Sequence, residues 1–254
     1  MSASTPSTPQ APRPPAVVCT IPTWNEAGNI LPLVKEILAL GPGFEVLVVD
    51  DNSPDGTWRL VAEASKEEPR LHLLHRLQDK GRGRAGRDGF VQALAMGARI
   101  VVEMDADFSH HPRFIPELVR RLNSDPSIGL VLGSRAIAGG SDADRGWLRR
   151  AITTCANAYI RLLLGVAVRD CNSGFRAWKR STLEAIRVEQ ATSPGPAIVQ
   201  ELLYKTARKK IGIAEVPIVF EDRKVGESTL TWRLLVQGYT TVLKLRWLAL
   251  VGRL

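Results

Sequence analysis

Long apolar runs are missing from this 254-residue chain. No stretch reaches the roughly 18–20 uncharged apolar residues that a membrane-spanning helix requires. Cysteine is scarce: Cys19, Cys155 and Cys171 form no Cys-x-x-Cys pair and make an odd count, which reads as buried or inert thiols in a reducing compartment. The N-terminus lacks the apolar core of a secretory signal; Met1–Pro15 is rich in Ser, Thr and Pro and is expected to be a disordered leader. No internal repeat and no clean linker is visible, so one domain over residues 16–230 is expected, followed by a C-terminal helix over 231–254. The aromatic platform or recognition helix of a nucleic-acid module is also absent, which removes nucleic acid as a partner. The net charge of +8 and pI near 9.7 then suit phosphate-bearing substrates or an acidic membrane surface.

What is present is a regular alternation. Strand candidates at Ala16–Ile21 (closed by Pro22), Phe44–Val49, Leu71–Leu74, Ile100–Met104 and Leu130–Leu132 alternate with helical periods at Asn29–Leu40, from Trp58 onward, at Phe90–Ala98 and at Phe114–Leu122. Continuous apolar strands between helices predict an α/β fold with a mostly parallel sheet covered on both faces. Further on, Trp147–Leu164 and Ile198–Ala207 read as helices and Asp170–Trp178 as irregular and strand-like. Ile213–Phe220 reads as an edge or bulged strand because Pro217 lies inside it. Gly81–Arg87 is glycine-rich and basic but fits no P-loop spacing, and reads as a mobile loop. Leu234–Leu254 is apolar nearly all round a helical wheel, interrupted by Lys244, Arg246 and Arg253 with Trp247 among them. A helix lying in a membrane interface and a helix packed on the domain or on a partner both fit that composition.

The chemistry gathers at Val101–Pro112. An apolar strand there ends in Asp105 and Asp107, one residue apart. Residues i and i+2 of an extended segment point to one side, so the two carboxylates can converge on a hard divalent cation that keeps positions open for waters and phosphate. The bland alternative is a solvated strand-to-helix turn with Asp107 or Ser109 as N-cap, and for an isolated Asp-x-Asp that alternative is the commoner one. Two more polar clusters, Trp24-Asn25-Glu26 and Asp50-Asp51, stand at the ends of earlier strands. Ligands of parallel sheets bind beyond the carboxyl ends of the strands, so three such clusters look like one site for a metal-bound nucleotide. His110-His111 reads as capping and packing groups rather than zinc ligands.

Six motifs occur in order: Pro22–Glu26, Val48–Thr57, Met104–Pro112, Gly133–Arg135, Ser173–Arg176 and Val216–Ser228. Together they resemble the family 2 glycosyltransferases of GT-A (Rossmann-like) fold, and within these the polyprenol (dolichol) phosphate mannosyltransferases. The resemblance implies a mostly parallel sheet flanked by helices, with a C-terminal amphipathic helix. It implies that Pro22, Trp24, Glu26, Val49 and Asp51 hold the guanosine end of GDP-mannose. Asp105, Asp107 and Ser109 would ligate Mg²⁺ or Mn²⁺, with Ala106 against the nucleotide. Arg135 and Arg149 would face the acceptor phosphate, and Arg223 the donor diphosphate. The implied reaction is inverting transfer of mannose to polyprenyl phosphate at the cytoplasmic face of a membrane. Access to that membrane would come from the C-terminal helix, the basic excess, or a separate membrane-anchor subunit. Four positions depart from the family pattern: Trp24 for a tyrosine, Arg82 for an apolar residue, Gly86 for a tyrosine, and Thr229 for a lysine at the diphosphate end; Cys171-Asn172 also replaces a commoner Leu/Ile-Thr pair. Transfer of another sugar from a UDP or GDP donor, and a nucleotide-sugar-binding protein without turnover, are the rival expectations.

Overall fold

Runs of Val, Ile and Leu that are buried from end to end make the strands. The computed structural model describes residues 16–142, 146–193, 195–221 and 232–252; the expected leader, residues 1–15, lies outside them. Strands β1 (Val17–Thr23), β2 (Phe44–Asp50), β3 (Leu71–His75), β4 (Ile100–Glu103), β5 (Ile128–Ser134), β6 (Arg176–Lys179) and β7 (Gly212–Pro217) form one sheet in the order β3-β2-β1-β4-β6-β5-β7. The pairs β1–β2, β1–β4, β2–β3 and β5–β7 are parallel, whereas β6 runs antiparallel to both of its neighbours. The expected mostly parallel sheet is therefore present. Pro217 is the last residue of an edge strand, where a missing N–H costs least. Pro22, expected to close the first strand, instead sits within β1 opposite Val49.

The two-residue period of the strands divides the core. In β1, Val17, Cys19 and Ile21 join a cluster on one face while Val18 joins the cluster on the other. The first face is covered by α1 (Ile30–Leu38), α2 (Thr57–Ala64) and α4 (Ile115–Asn123); α1 buries Ile30, Leu33, Val34, Ile37 and Leu38, the helical spacing read from the sequence. The second face is covered by α3 (Arg82–Ala95), α5 (Trp147–Leu164), α6 (Arg180–Ala185), α7 (Ile198–Arg208) and α8 (Trp232–Leu250). Cys19 and Cys171 are buried within these layers, and burial pushes each thiol up to about 12, so both are inert as expected.

One expectation is corrected. Gly81–Arg87 is not a loop: from Arg82 it is the first half of α3. The Gly81 N–H donates to Asp51 Oδ2 at 2.7 Å, Arg76 ties Asp51 to Asp88 of the helix, and Ala85, Phe90 and Ala93 are buried against the sheet. Gly89 lets the helix lie close, since a Cβ there would meet Val49 Cγ2 at 3.0 Å. Of the two expectations for the C-terminal helix, packing on the domain is seen on one side of it. Its inner positions Val242, Leu245 and Ala249 are buried in the same cluster as α5 and α7. Tyr159 Oη donates to the Tyr239 carbonyl at 3.1 Å, and Arg208 Nη1 donates to the Ala249 carbonyl at 3.0 Å near the helix end. Its outward side carries Leu243, Trp247 and Leu250 beside Lys244 and Arg246, a mixed face rather than a plain polar one.

Candidate active site

Parallel strands deliver their carboxyl ends to one edge of the sheet, and antiparallel β6 begins there. That edge therefore gathers Trp24–Glu26, Asp50–Ser53, the start of α3, Asp105–Asp107, Arg135 and Ser173–Gly174. After β4 the chain turns sharply. Phe108 has φ +61, a left-handed conformation that a bulky side chain avoids, and such strain persists where surrounding bonds over-determine it. Those bonds are visible. Asp107 Oδ1 accepts the Ser109 N–H at 3.1 Å and the Ser109 hydroxyl at 2.6 Å. The Asp105 N–H donates to His110 Nδ1 at 3.1 Å, which makes that nitrogen the unprotonated one. Burial holds the His110 pKa below its ordinary value, against the pull of Asp105 and Asp107 and with the help of Arg135 and Arg82. Its ring stacks on Phe175 at 5.2 Å. His111 Nδ1 accepts from the Arg113 N–H at 3.3 Å and caps a short 3-10 turn at Pro112–Phe114. Both histidines are thus capping and packing groups.

Asp107 is nearly buried, whereas the Asp105 side chain is 38% exposed. Ser109 points its hydroxyl at Asp107, and Ala106 is buried beside it. Among the described residues no group of three or more His, Cys, Asp or Glu is placed to hold a metal. Two carboxylates with the rest of the shell left to water and substrate oxygens fit a hard divalent cation and argue against a closed structural site.

On the other side of the edge, the ends of β1 and β2 are tied together. Asp50 is fully buried and accepts from the Thr23 hydroxyl at 2.8 Å, the Ser53 N–H at 2.8 Å and the Ser53 hydroxyl at 2.7 Å. Asn25 and Asn52 adopt φ +61 and +60, which asparagine tolerates. The Asn25 N–H donates to Ser53 Oγ and the Glu26 N–H to Thr57 Oγ1, both at 3.0 Å. This frame leaves the Trp24 indole 51% exposed, with the Lys80 ammonium 5.3 Å from its ring centre. Glu26 Oε2 accepts from Asn29 Nδ2 at 2.8 Å. Asp51 carries an ion pair to Arg76 as well as the Gly81 bond, so its carboxylate anchors α3. Pro22 is buried, and the Val49 side chain lies in the core under α3.

The arginines divide. Arg135 grips Asp170 with Nε and Nη2, both at 2.8 Å, and its backbone N–H also reaches Asp170 Oδ2 at 3.1 Å. Burial alone would raise the Asp170 pKa; the bonds and charge of Arg135 outweigh it and hold the carboxyl below its usual range. The fork expected to face a phosphate is thus largely taken, and Nη1 is the arm that carries no bond to a described residue. Arg149 lies in the first turn of α5, but its side chain is outside the described residues, as are Arg223 and Thr229 altogether. Arg176 is a structural staple, fully buried, donating to the carbonyls of Ser173 (2.7 Å), Cys171 (3.0 Å) and Val199. Arg82 had been noted in the sequence only as a departure. It bridges Glu103 Oε1 at 2.9 Å and Asp105 Oδ1 at 3.3 Å. The sign that could have found it was an acid, Glu103, inside an otherwise apolar strand.

A sheet of this order, with an acidic pair beyond β4 and the strained Phe108 beside it, is that of the GT-A fold. Comparison with known proteins makes it specific. Residues 19–187 match glycosyl transferase family 2, and the chain belongs to that family. It is 38% identical over 213 residues to the polyprenol monophosphomannose synthase of Mycolicibacterium smegmatis, covering 83% of this chain and 79% of the relative. It is 35% identical over 242 residues to the undecaprenyl-phosphate mannosyltransferase of Micrococcus luteus, covering 94% and 98%. In fold it is similar to the glucosyl-3-phosphoglycerate synthase of Mycobacterium tuberculosis solved with Mn²⁺, UDP-glucose and glycerol 3-phosphate (TM-score 0.68, 24% identity, 91% of this chain and 80% of that one). It is also similar to a mannosyltransferase of Pyrobaculum calidifontis solved with GDP-Man and Mn²⁺ (TM-score 0.62, 22% identity, 91% and 65%).

Proposed function

We propose that this enzyme transfers mannose from GDP-mannose to a polyprenyl phosphate, inverting the anomeric centre and releasing GDP. The observation that carries the proposal is the acidic pair Asp105/Asp107 beside cationic side chains at the edge where the parallel strands end, in a chain over a third identical to two polyprenyl-phosphate mannose transferases. Trp24 offers an exposed aromatic face for the guanine, and Glu26 stands two residues on. Asp105 and Asp107 would hold Mg²⁺ or Mn²⁺, with Ser109 fixing Asp107 from behind. When bound, the cation supplies Lewis-acid stabilisation of the departing diphosphate. The acceptor phosphate is already an anion at neutral pH, so a general base is dispensable. Its oxygen attacks C1 of the mannose from the face opposite GDP, the C1–O bond to the β-phosphate breaks, and the product is β-linked. What the chain must do is hold two anions close together. Arg135 Nη1 is suited to one of them, and Arg149 would face the acceptor phosphate and Arg223 the donor diphosphate.

Incubation of the purified chain with labelled GDP-mannose, Mg²⁺ and a polyprenyl phosphate should move label into the organic phase. Label that stays aqueous, or that moves only from another sugar nucleotide, would contradict the proposal. Chelation with EDTA should abolish the transfer and added Mg²⁺ or Mn²⁺ restore it; turnover that survives chelation would count against the metal assignment.

A lipid acceptor requires a membrane surface, and no described helix is long and apolar enough to cross one. The outward side of α8 exposes Leu243, Trp247 and Leu250, Val251 is exposed in the turn after it, and α5 exposes Leu162. These residues, with Lys244 and Arg246 between them, suit shallow contact with an anionic leaflet. Vesicles containing anionic lipid should co-sediment the protein, and Leu243→Glu with Trp247→Glu should release it without loss of helix content. Unchanged sedimentation would assign the contact to another surface or to a separate membrane subunit.

A further inference from the structure

We propose that Arg82 is the built-in counter-cation of the acidic pair: it occupies Asp105 until a divalent ion arrives, then turns from that carboxylate to the donor's diphosphate with Glu103 as its pivot. The proposal rests on the assignment of the metal to Asp105 and Asp107 and deepens it.

Glu103 is the first part of the argument. It is a carboxylate inside β4 that is 1% exposed, and its Oε2 has no hydrogen-bond partner among the described residues. A buried carboxylate requires a cation. Arg176 lies opposite it in the sheet, but its guanidinium is spent on three main-chain carbonyls. Arg82 Nη1, at 2.9 Å from Oε1, is the group that answers the charge. Space has been left for it. Gly86 lies one turn further along α3, and a Cβ there would come within 3.1 Å of Arg82 Nη1 and 3.4 Å of Glu103 Oε1.

The two arms of the guanidinium are unequal. The bond to Glu103 is short and lies on a buried acceptor, whereas the bond to Asp105 is 3.3 Å and lies on a partly exposed one. A divalent cation on Asp105 and a guanidinium bonded to the same oxygen repel each other, and arginine cannot escape by losing its proton. The weaker arm must therefore let go while the stronger one stays. Freed from Asp105, Nη2 would stay within reach of diphosphate oxygens brought to that carboxylate by the cation. Arg82 thus opposes the metal alone and favours the metal together with its nucleotide, so the site loads the two as a pair.

The test is a titration of Mn²⁺, followed by electron paramagnetic resonance, into the full chain and into Arg82→Met and Arg82→Met/Glu103→Gln. The double substitution removes the buried acid along with its partner and keeps the core neutral. GDP is then titrated into each at saturating Mn²⁺. In the double variant Mn²⁺ alone should bind roughly tenfold more tightly and GDP roughly tenfold more weakly, within the usual range of coupling between ligands. Opposite signs are the signature, because a merely structural role would weaken both. Mn²⁺ binding that is unchanged or weaker in the variants, or GDP binding that is unaffected, would overturn the role of Arg82 alone. A wild-type chain that bound no Mn²⁺ with or without GDP would overturn the metal assignment and this proposal with it.

Discussion

Asp107→Ala should lower glycosyl transfer by at least about a thousandfold, the scale seen when a preorganised group that stabilises developing charge is removed. The structure says why the fold should survive. Its Oδ1 makes local hydrogen bonds to the Ser109 N–H and hydroxyl, which cap the turn after β4. Loss of such a turn-capping carboxylate costs on the order of 1 kcal/mol, a shift of a few degrees in melting temperature. The strained Phe108, with φ +61, will relax once its anchor is gone, so a modest change in local proteolysis is expected beside the lost activity. The assay is the same organic-phase extraction, run beside a thermal melt. Activity within about tenfold of the wild type would be incompatible with a leaving group stabilised from this carboxylate.

Arg176→Met should instead unfold the protein in milder urea, with a loss of about 3–5 kcal/mol, the usual cost of breaking a buried charged network from one side. Arg176 is fully buried, and burial lowers its pKa to about 10 against the pull of Glu103, so it stays charged at neutral pH. Methionine fills much of the volume but satisfies none of the carbonyls of Cys171, Ser173 and Val199, each of which then loses its partner in a dry interior. Glu103 loses a nearby positive charge at the same time. Comparison of urea midpoints gives the value; a variant within about 1 kcal/mol of wild type would mean that water replaces the guanidinium there.

The sequence stops being legible where the partners of a side chain lie far away along the chain. Local pattern sufficed for the sheet, for α1 with its apolar spacing, and for α5, whose bounds match the expectation of Trp147–Leu164. It also placed Asp105 and Asp107 just beyond the end of a strand, because the apolar run of β4 stops at Glu103. Gly81–Arg87 failed because glycine and arginine argue for a loop locally, while the helix is fixed by partners remote in sequence, Asp51 and Arg76. Arg135 was read as a phosphate ligand because its fork suits one; that Asp170, 35 residues on, already fills two of its arms is a fact of packing. Val49 was assigned to the nucleoside from its place in a motif; the pleat turns its side chain into the core. The C-terminal helix was ambiguous for the opposite reason: apolar on every side, it packs on the domain with one side and leaves the other exposed.

In the proposed reaction Asp105 and Asp107 share a divalent cation with a nucleotide diphosphate. Crystals grown with GDP and Mn²⁺ and measured at the manganese absorption edge decide it most directly. The anomalous peak should lie within bonding distance of both carboxylates, with diphosphate oxygens completing the shell and Arg82 turned away from Asp105. A peak elsewhere, or GDP bound while both carboxylates face solvent alone, would contradict it.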